Sequence, residues 1–339
     1  MSEDPFAPIP AERRDAARSA VTAALGSIRV AALRPVSGGA SALTYRIETD
    51  VRPYLLRMET RYSARRNSDH YACMRIAADA AIAPQLHHVD AEQGVSVMDF
   101  LTQRPLDEYP GGPPALCRDV SRLLRRLQES PAFPAPRASY SDLVGRLLSF
   151  VEASPVFANG LLGPHRAGFM RIREAYPWDA ATLVSSHNDP NPRNILFDGE
   201  RLWLIDWEAS SCNDPLTDVA IVSLELAATP ELREVLLRSW LGREPDRATR
   251  ARFLLMRQLA RLYFACVIFA QFAERHRAEP DTDLKALSAL EFVTAIEQGR
   301  LRIGSSELLY TWGKMFLAGF LDGLTEAGFE EALVVARQG

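Results

Sequence analysis

A short β-hairpin pattern inside a long helical region constrains this chain most. The island from Asn194 to Trp207 has the composition of β-strands, while the sequence around it is mostly helical. Its centre, Asp198-Gly199, predicts a tight turn, because this dipeptide tolerates the positive φ angles that such turns require. A hairpin of this kind would bring Asp206, which ends the second strand, next to Asn194, which starts the first. Two oxygen-bearing side chains that are distant in sequence would then be neighbours.

The first hundred residues differ from the rest of the chain. Helices are predicted over 11–25 and 68–81, and strands over 29–33, 44–48, 54–58 and 95–100. After Leu101, two proline-rich connectors bracket a helix, and the sequence then becomes mostly helical. We therefore expect an α+β fold of two lobes: a small first lobe with an antiparallel sheet (1–100) and a larger, mostly helical second lobe (101–339), with the hinge near 97–101.

Composition narrows the class of protein. The 339 residues are 47% hydrophobic and 24% charged, as in soluble globular proteins, and the net charge of −4 offers no general attraction to nucleic acid or anionic membranes. The first ten residues do not resemble a signal peptide, and the longest apolar run, 262–270, is too short to span a bilayer. Four scattered cysteines form no C-x-x-C pair. We expect a cytoplasmic protein with no nucleic-acid or membrane partner; its oligomeric state is left open.

The residues before and after the hairpin suit phosphoryl transfer. This reaction needs an acceptor hydroxyl to be aimed and Mg²⁺ to be held against the phosphates of ATP, and little covalent chemistry from the protein. Asp189 can receive the hydroxyl proton, while Asn194 and Asp206 supply the oxygen ligands that Mg²⁺ prefers. Taken singly, these residues fit an ordinary polar loop equally well. The complete ordered set favours a kinase.

Two segments, His187 to Phe197 and Leu204 to Glu208, resemble the catalytic loop and the metal-binding segment of the aminoglycoside phosphotransferase and choline kinase superfamily. These enzymes are relatives of protein kinases, so the resemblance implies a bilobal protein-kinase-like fold. It further implies that Asp189 is the catalytic base and that Asn194 and Asp206 bind Mg²⁺.

The same resemblance assigns two supporting residues. His187 would support the catalytic loop, and Asp218, within Asn213 to Ala220, would brace that loop by hydrogen bonds. The long activation segment and Ala-Pro-Glu motif of protein kinases are absent from this sequence. A kinase of small molecules is therefore expected.

The nucleotide-binding residues are expected in the first lobe. Ser37, Gly38 and Gly39 lie between two strand candidates, and this stretch resembles the family's nucleotide-binding loop, where backbone N–H groups approach phosphate. The only lysines are Lys285 and Lys314, and the other 37 basic residues are arginines. The cation for the α- and β-phosphates must then be an arginine, and Arg57 matches the family's position, although it also fits a surface arginine on an edge strand.

The partner of Arg57 is an open question at the sequence level. The family usually has a glutamate on the next helix, and the matching place falls at His70, beside Asp69. Either Asp69 substitutes with a shorter reach or the pairing is lost. Val97 to Leu101 resembles the segment that joins the lobes, where backbone groups of Asp99 and Leu101 would bind a purine.

The acceptor is expected to be a small, cationic amino alcohol such as choline or ethanolamine. Glu208 and Glu225 match acidic residues of choline and ethanolamine kinases, while Asn191 and Tyr263 are further candidate contacts. Tyr263 also fits an ordinary core aromatic. Two alternatives remain: an aminoglycoside phosphotransferase that confers antibiotic resistance, and a pseudokinase that binds nucleotide without catalysis. The sequence does not distinguish ATP from GTP as the donor.

Overall fold

The structure is a computed structural model that describes residues 4–36, 42–60, 69–179, 182–273 and 279–338. The chain forms two compact units. The first unit comprises residues 1–135 and 184–212, and the second comprises residues 136–183 and 213–339. The predicted lobe boundary at residue 100 stays a prediction.

A five-stranded antiparallel sheet dominates the first unit. Its strands are β1 (Val30–Pro35), β2 (Ala42–Thr49), β3 (Tyr54–Glu59), β4 (Leu86–Asp90) and β5 (Val95–Asp99), in the spatial order β1-β2-β3-β5-β4. In this register Arg57 of β3 lies between Thr44 of β2 and Ser96 of β5. Helix α2 (His70–Asp79) follows β3 in the described chain. The predicted sheet is confirmed, with β4 as an additional strand.

One face of this sheet is covered by helix α1 (Arg14–Leu25), which follows a 3₁₀ turn over Ala11–Arg13. Ala17, Ala20, Val21 and Leu25 of α1 share a buried cluster with sheet residues that include Ile47, Leu56 and Val97. These side chains alternate along their strands, as a half-buried sheet requires. The opposite face is thereby left for polar residues such as Arg57.

Among the described residues, the first unit also contains a further α-helix and two short ribbons. Helix α3 (Gly112–Gln128) begins with prolines in its first turn, where their missing N–H groups are tolerated. Strand β6 (Val184–Ser186) pairs with β9 (Ser211–Asn213), and β7 (Ile195–Phe197) pairs with β8 (Leu202–Leu204). The β7–β8 pair is the hairpin predicted from the sequence.

The second unit consists mainly of helices, which are α4 (Tyr140–Ala153), α5 (Gly163–Ala175), α6 (Leu216–Glu225), α7 (Pro230–Leu241), α8 (Arg247–Ala273), α9 (Ala289–Glu297), α10 (Ser306–Thr325) and α11 (Phe329–Ala336). Side-chain caps start several of them: Ser139 caps α4, Thr229 caps α7, and Ser288 with Glu291 forms a capping box at α9. The predicted helical character of this region is confirmed.

Helix α8 is the core of the second unit. It packs against α4, α6, α10 and α11. Its length and composition would also allow it to cross a membrane, but 78% of its most apolar window is buried inside the protein. A buried core helix passes such a test as readily as a membrane span does. The four cysteines, one of them in α8, are buried free thiols.

Close packing of α10 on α8 makes a specific stability prediction. A Cβ atom at Gly313 would lie 2.8 Å from Phe269 Cζ and 2.9 Å from Ile268 Cγ2, and both side chains are buried. Gly313→Ala should therefore lower the free energy of unfolding by about 1–3 kcal/mol, partly offset by about 1 kcal/mol of helix propensity. Gly319→Ala is the matched control on the same helix, because its Cβ would meet only the flexible Arg261 side chain, at 3.5 Å. Chemical denaturation should find Gly313→Ala less stable than Gly319→Ala, and equal stabilities would contradict the packing.

Candidate active site

The β7–β8 hairpin brings Asn194 and Asp206 together. Ile195 pairs with Leu204, so Asn194 and Asp206 flank the open end of the ribbon. The Ile205 N–H donates to the Asn194 carbonyl oxygen at 3.0 Å. At the closed end, Asp198 Oδ1 accepts the N–H groups of Glu200 and Arg201, each at 2.8 Å. Backbone pairing thus converts separation in sequence into proximity, as the hairpin pattern predicted.

The loop from β6 to the hairpin holds Asp189 beside these residues. Asn194 Nδ2 donates to the Asp189 carbonyl oxygen at 2.9 Å, and the Asn191 N–H donates to the same oxygen at 2.8 Å. Asn191 Nδ2 also donates to Asp189 Oδ1 at 2.9 Å. The Asp189 carboxylate is therefore oriented by one neutral amide, which leaves its other oxygen for an acceptor hydroxyl.

Two residues around Asp189 tie the loop to the segment that follows the hairpin. His187 Nε2 donates to the Ile205 carbonyl oxygen at 2.8 Å, and its ring lies 4.6 Å from that of Trp207. Asn188 Nδ2 donates to the Ala209 carbonyl oxygen at 2.9 Å. His187 thus connects the loop to Ile205, and its supporting role stays a prediction.

Asn188 and Asp206 both have left-handed backbone conformations, with φ of 64° and 65°. Asparagine and aspartate adopt this conformation more readily than most other residues, for which it costs about 1–2 kcal/mol. Strain of this kind is retained where the surrounding structure fixes it, and it clusters at functional sites.

A cavity of about 670 Å³ opens in front of these residues, within the first unit. This volume lies in the range of small-molecule sites. Its apolar lining includes Val36, Leu55, Met98 and Leu196, and its polar lining includes Arg57, Asp189, Asn194 and Asp206. The lining thus offers apolar residues to a ring and charged residues to a charged group.

Arg57 lines this cavity and lies among three carboxylates. Its Nη2 atom is 2.6 Å from Glu208 Oε1 and 3.2 Å from Asp206 Oδ1, while its Nη1 atom is 3.6 Å from Glu59 Oε1. Burial alone would lower the pKa of the guanidinium, but Asp206 and Glu208 outweigh this effect and raise it. Arg57 is therefore a fixed cation that faces the cavity, and not a surface arginine.

The pKa of Asp206 is raised as well, but for a different reason. Burial around the carboxylate raises its pKa, and the neighbouring carboxylates Glu208 and Asp189 raise it further, against the lowering effect of Arg57 and His187. Three carboxylates thus share one neighbourhood with one guanidinium. A further cation would relieve this repulsion.

The donor atoms present fit Mg²⁺ better than a metal held entirely by protein. Among the described residues, no three His, Cys, Asp or Glu side chains are placed to hold a metal. Mg²⁺ typically takes one or two protein oxygens and completes its shell with water and substrate phosphates. Asp206 offers a carboxylate, and Asn194 uses Nδ2 within the loop, which leaves Oδ1 for a cation. This pair fits the predicted Mg²⁺ ligands.

The predicted nucleotide-binding residues have different outcomes. Ser37, Gly38 and Gly39 lie outside the described residues, while Arg57, Asp99 and Leu101 line the cavity. The Asp99 N–H donates to the Gln85 carbonyl oxygen at 2.9 Å, so this N–H is already engaged and does not offer a hydrogen bond to a purine. The Asp99 carboxylate is engaged by His87 at 2.7 Å and Arg52 at 2.9 Å.

The predicted acceptor-binding residues are divided between the two units. Asn191 lines the cavity, and Glu208 is paired with Arg57. In the second unit, Glu225 is exposed at the end of α6, and Tyr263 of α8 is buried against the ring of Tyr140 at 5.6 Å. Asp218 is fully buried in α6. The roles of these residues remain predictions.

Sequence reasoning missed Glu59 as a partner of Arg57. The two residues are two apart on β3, so the strand period places both side chains on one face. The same carboxylate is bonded by His70 at the start of α2, with His70 Nε2 2.8 Å from Glu59 Oε1. His70 therefore reaches Arg57 through Glu59, an alternative to the two considered from the sequence.

Several known proteins resemble this chain, some in sequence and others in fold. Protein LicA from Haemophilus influenzae is 28% identical over 155 residues, which are 45% of this chain and 57% of LicA, a little over half of the relative's length. A choline/ethanolamine kinase family protein from Mesorhizobium loti superposes with a TM-score of 0.68 and 22% identity, covering 96% of this chain and 99% of that one. Choline kinase LicA from Streptococcus pneumoniae gives a TM-score of 0.62 and 16% identity, covering 91% and 99%.

The likeness to these solved structures confirms the predicted kinase-like α+β fold. A match to a whole sequence family adds more than the fold. Residues 32–253, well over half of the chain, match the phosphotransferase enzyme family, APH, and the matched range includes Arg57, Asp189, Asn194 and Asp206. The chain therefore belongs to the phosphotransferase enzyme family.

Proposed function

We propose that the protein is an ATP-dependent kinase that phosphorylates a hydroxyl group of a small cationic metabolite, an amino alcohol of the choline or ethanolamine type. The observation that carries the proposal is the grouping of Asp189, Asn194 and Asp206 at one cavity by the β7–β8 hairpin. Family membership and the similarity to choline kinase LicA from Streptococcus pneumoniae support the reaction and the acceptor class. The buried free thiols favour a reducing compartment, so we place the reaction in the cytoplasm.

Each residue has a part in this reaction. Asp189 orients the acceptor hydroxyl and takes its proton, since one carboxylate oxygen is held by Asn191 and the other is free for the hydroxyl. Arg57 neutralises the nucleotide phosphates, and Asn194 and Asp206 would hold Mg²⁺. When bound, Mg²⁺ offsets the charge on the transferring phosphoryl group. The apolar residues of the cavity lining would contact the nucleobase.

We assign recognition of the cationic acceptor to negatively charged side chains. The two carboxylates that we assign to the acceptor are Glu208, whose charge acts on Asp206, and Glu225, which is exposed on α6. A quaternary ammonium cannot donate a hydrogen bond, so carboxylates and aromatic faces are the groups that recognise it. Asn191 and Tyr263 are the further contacts that we assign.

A panel assay tests both the reaction and the acceptor class. Phosphate transfer from Mg-ATP, and in parallel from Mg-GTP, is measured for choline, ethanolamine, homoserine, sugars and aminoglycosides. We expect the highest kcat/KM with choline or ethanolamine. The matched control is 3,3-dimethyl-1-butanol, the neutral carbon isostere of choline, and it should be phosphorylated at least about fivefold less efficiently, because a charge 4 Å from a carboxylate gains about 1 kcal/mol even in water.

Each contrary outcome of the panel has a distinct meaning. Equal use of choline and its isostere would contradict recognition of a cation. Preference for aminoglycosides would indicate that the acceptor is an antibiotic and not an amino alcohol. Binding of Mg-ATP without transfer to any acceptor would identify a nucleotide-binding pseudokinase.

A further inference from the structure

The two ends of the Arg57 guanidinium are held by different parts of the first unit. Nη2 faces Glu208 and Asp206 of the catalytic segment, at 2.6 and 3.2 Å. Nη1 faces Glu59 of its own strand, and the 3.6 Å separation is an ion pair too long for a hydrogen bond. Only 15% of the Arg57 side chain is exposed. The Glu59 carboxylate therefore lies beside one end of the cation while the other end faces Asp206 and Glu208.

Glu59 is well fixed. Its N–H donates to the Gly94 carbonyl oxygen at 2.8 Å, and its own carbonyl oxygen accepts from Arg13 Nη1 at 3.0 Å. A Cβ atom at Gly94 would lie 3.2 Å from both Cβ and Oε2 of Glu59, so the glycine leaves the room that this side chain occupies. With 12% of its side chain exposed, the carboxylate needs hydrogen-bond donors to remain charged.

His70 supplies such a donor from the first residue of α2. It is 4% exposed, its ring lies 4.1 Å from the ring of Tyr71, and its Nε2 is 2.8 Å from Glu59 Oε1. The Glu59 oxygen that His70 contacts is the one that faces Arg57 Nη1. A continuous series of contacts thus runs from α2 through β3 to the guanidinium, and His70 also lines the cavity.

From this geometry we propose that His70 and Glu59 are a positioning pair that presents Arg57 to the phosphates of the nucleotide. The inference rests on the proposed function, because it takes Arg57 as the phosphate-binding cation. Ordering a long arginine side chain during binding costs conformational entropy, and a carboxylate already in place removes that cost. His70 acts on Arg57 only through Glu59, so the two positions should behave as one unit.

The test compares His70→Ala, Glu59→Gln and the double variant with the wild-type protein. Calorimetry with the Mg²⁺ complex of AMP-PNP, a non-hydrolysable ATP analogue, gives the Kd, and steady-state kinetics gives separate KM values for ATP and acceptor. Each single variant should raise the nucleotide Kd and KM roughly tenfold, and the double variant no more than the larger single effect, because contacting residues are coupled. The acceptor KM should stay within about twofold of wild type. His70→Gln, whose amide can still donate to Glu59, should restore most of the nucleotide affinity.

Glu48→Gln and His88→Ala are the matched controls. Glu48 pairs with Arg46 at 3.1 Å on the neighbouring strand, and neither Glu48 nor His88 lines the cavity. The proposed pair would be refuted if Glu59→Gln bound nucleotide with wild-type affinity. It would also be refuted if the effects of the two single variants added up in the double variant. If His70→Ala does not fold, Glu59→Gln and His70→Gln decide the matter. A wild-type protein that binds nucleotide but transfers no phosphate would refute the proposed function. The positioning pair could still be tested in that case, because calorimetry measures the nucleotide Kd without turnover.

Discussion

Asp189→Asn should reduce kcat by roughly 10²- to 10⁴-fold, because a positioned general base contributes about that much. The substitution is isosteric, and the oxygen of the new amide would still accept from Asn191 Nδ2, as Asp189 Oδ1 does at 2.9 Å. The backbone carbonyl at this position, which accepts from Asn194 and Asn191, is unaffected. The loss should therefore appear in kcat and not in nucleotide affinity or thermal stability.

Asp198→Asn is the matched control, with the same change in the same segment. Asp198 caps the hairpin turn and accepts from Trp203 Nε1 at 2.6 Å, and it does not line the cavity. Its replacement should cost about 1 kcal/mol of stability, through one lost hydrogen bond, with kcat of the folded protein unchanged. Steady-state kinetics and thermal denaturation of both variants check the two expectations. An Asp189→Asn enzyme that keeps kcat within about tenfold of wild type would exclude Asp189 as the base.

Local patterns in the sequence were sufficient to predict the catalytic segment. The Asp198-Gly199 turn and its flanking apolar strands define the hairpin, and the hairpin alone brings Asn194 to Asp206. Strand β4 was missed, because Leu86-His87-His88-Val89-Asp90 is short and polar and becomes a strand only by pairing with β5. Tertiary pairing of this kind overrides local propensity.

The partners of Arg57 were not predicted either, and the reasons differ between them. Glu59 is close in sequence, and its spacing from Arg57 was readable, but His70 joins it across a stretch whose course no local pattern specifies. The contact of Arg57 with Glu208 joins residues 151 positions apart. Motif resemblance therefore supplied the candidate catalytic residues, while long-range packing determined which charged side chains are in contact.

Asp206→Asn should lower kcat/KM by roughly 10²- to 10³-fold and raise the Mg²⁺ concentration needed for half-maximal activity, since metal stabilisation of the developing charge supplies several kcal/mol. We expect this loss of activity to come from weaker metal binding and not from a change at Arg57. Arg57 keeps its shorter contact with Glu208, at 2.6 Å, when the 3.2 Å contact with Asp206 is weakened. Nucleotide binding through Arg57 should then persist, while the metal is bound more weakly.

A readout that does not depend on turnover separates these two effects. Electron paramagnetic resonance of Mn²⁺, a substitute for Mg²⁺, measures metal bound in the presence of AMP-PNP. Wild type and Asp198→Asn should retain bound Mn²⁺, whereas Asp206→Asn should bind it much more weakly, because a neutral amide oxygen replaces the charged one of the two protein ligands that we assign. Mn²⁺ binding by Asp206→Asn equal to that of wild type would remove Asp206 from the metal site, whatever its effect on kcat. In that case the carboxylate would act on Arg57 alone, the residue it contacts in the structure.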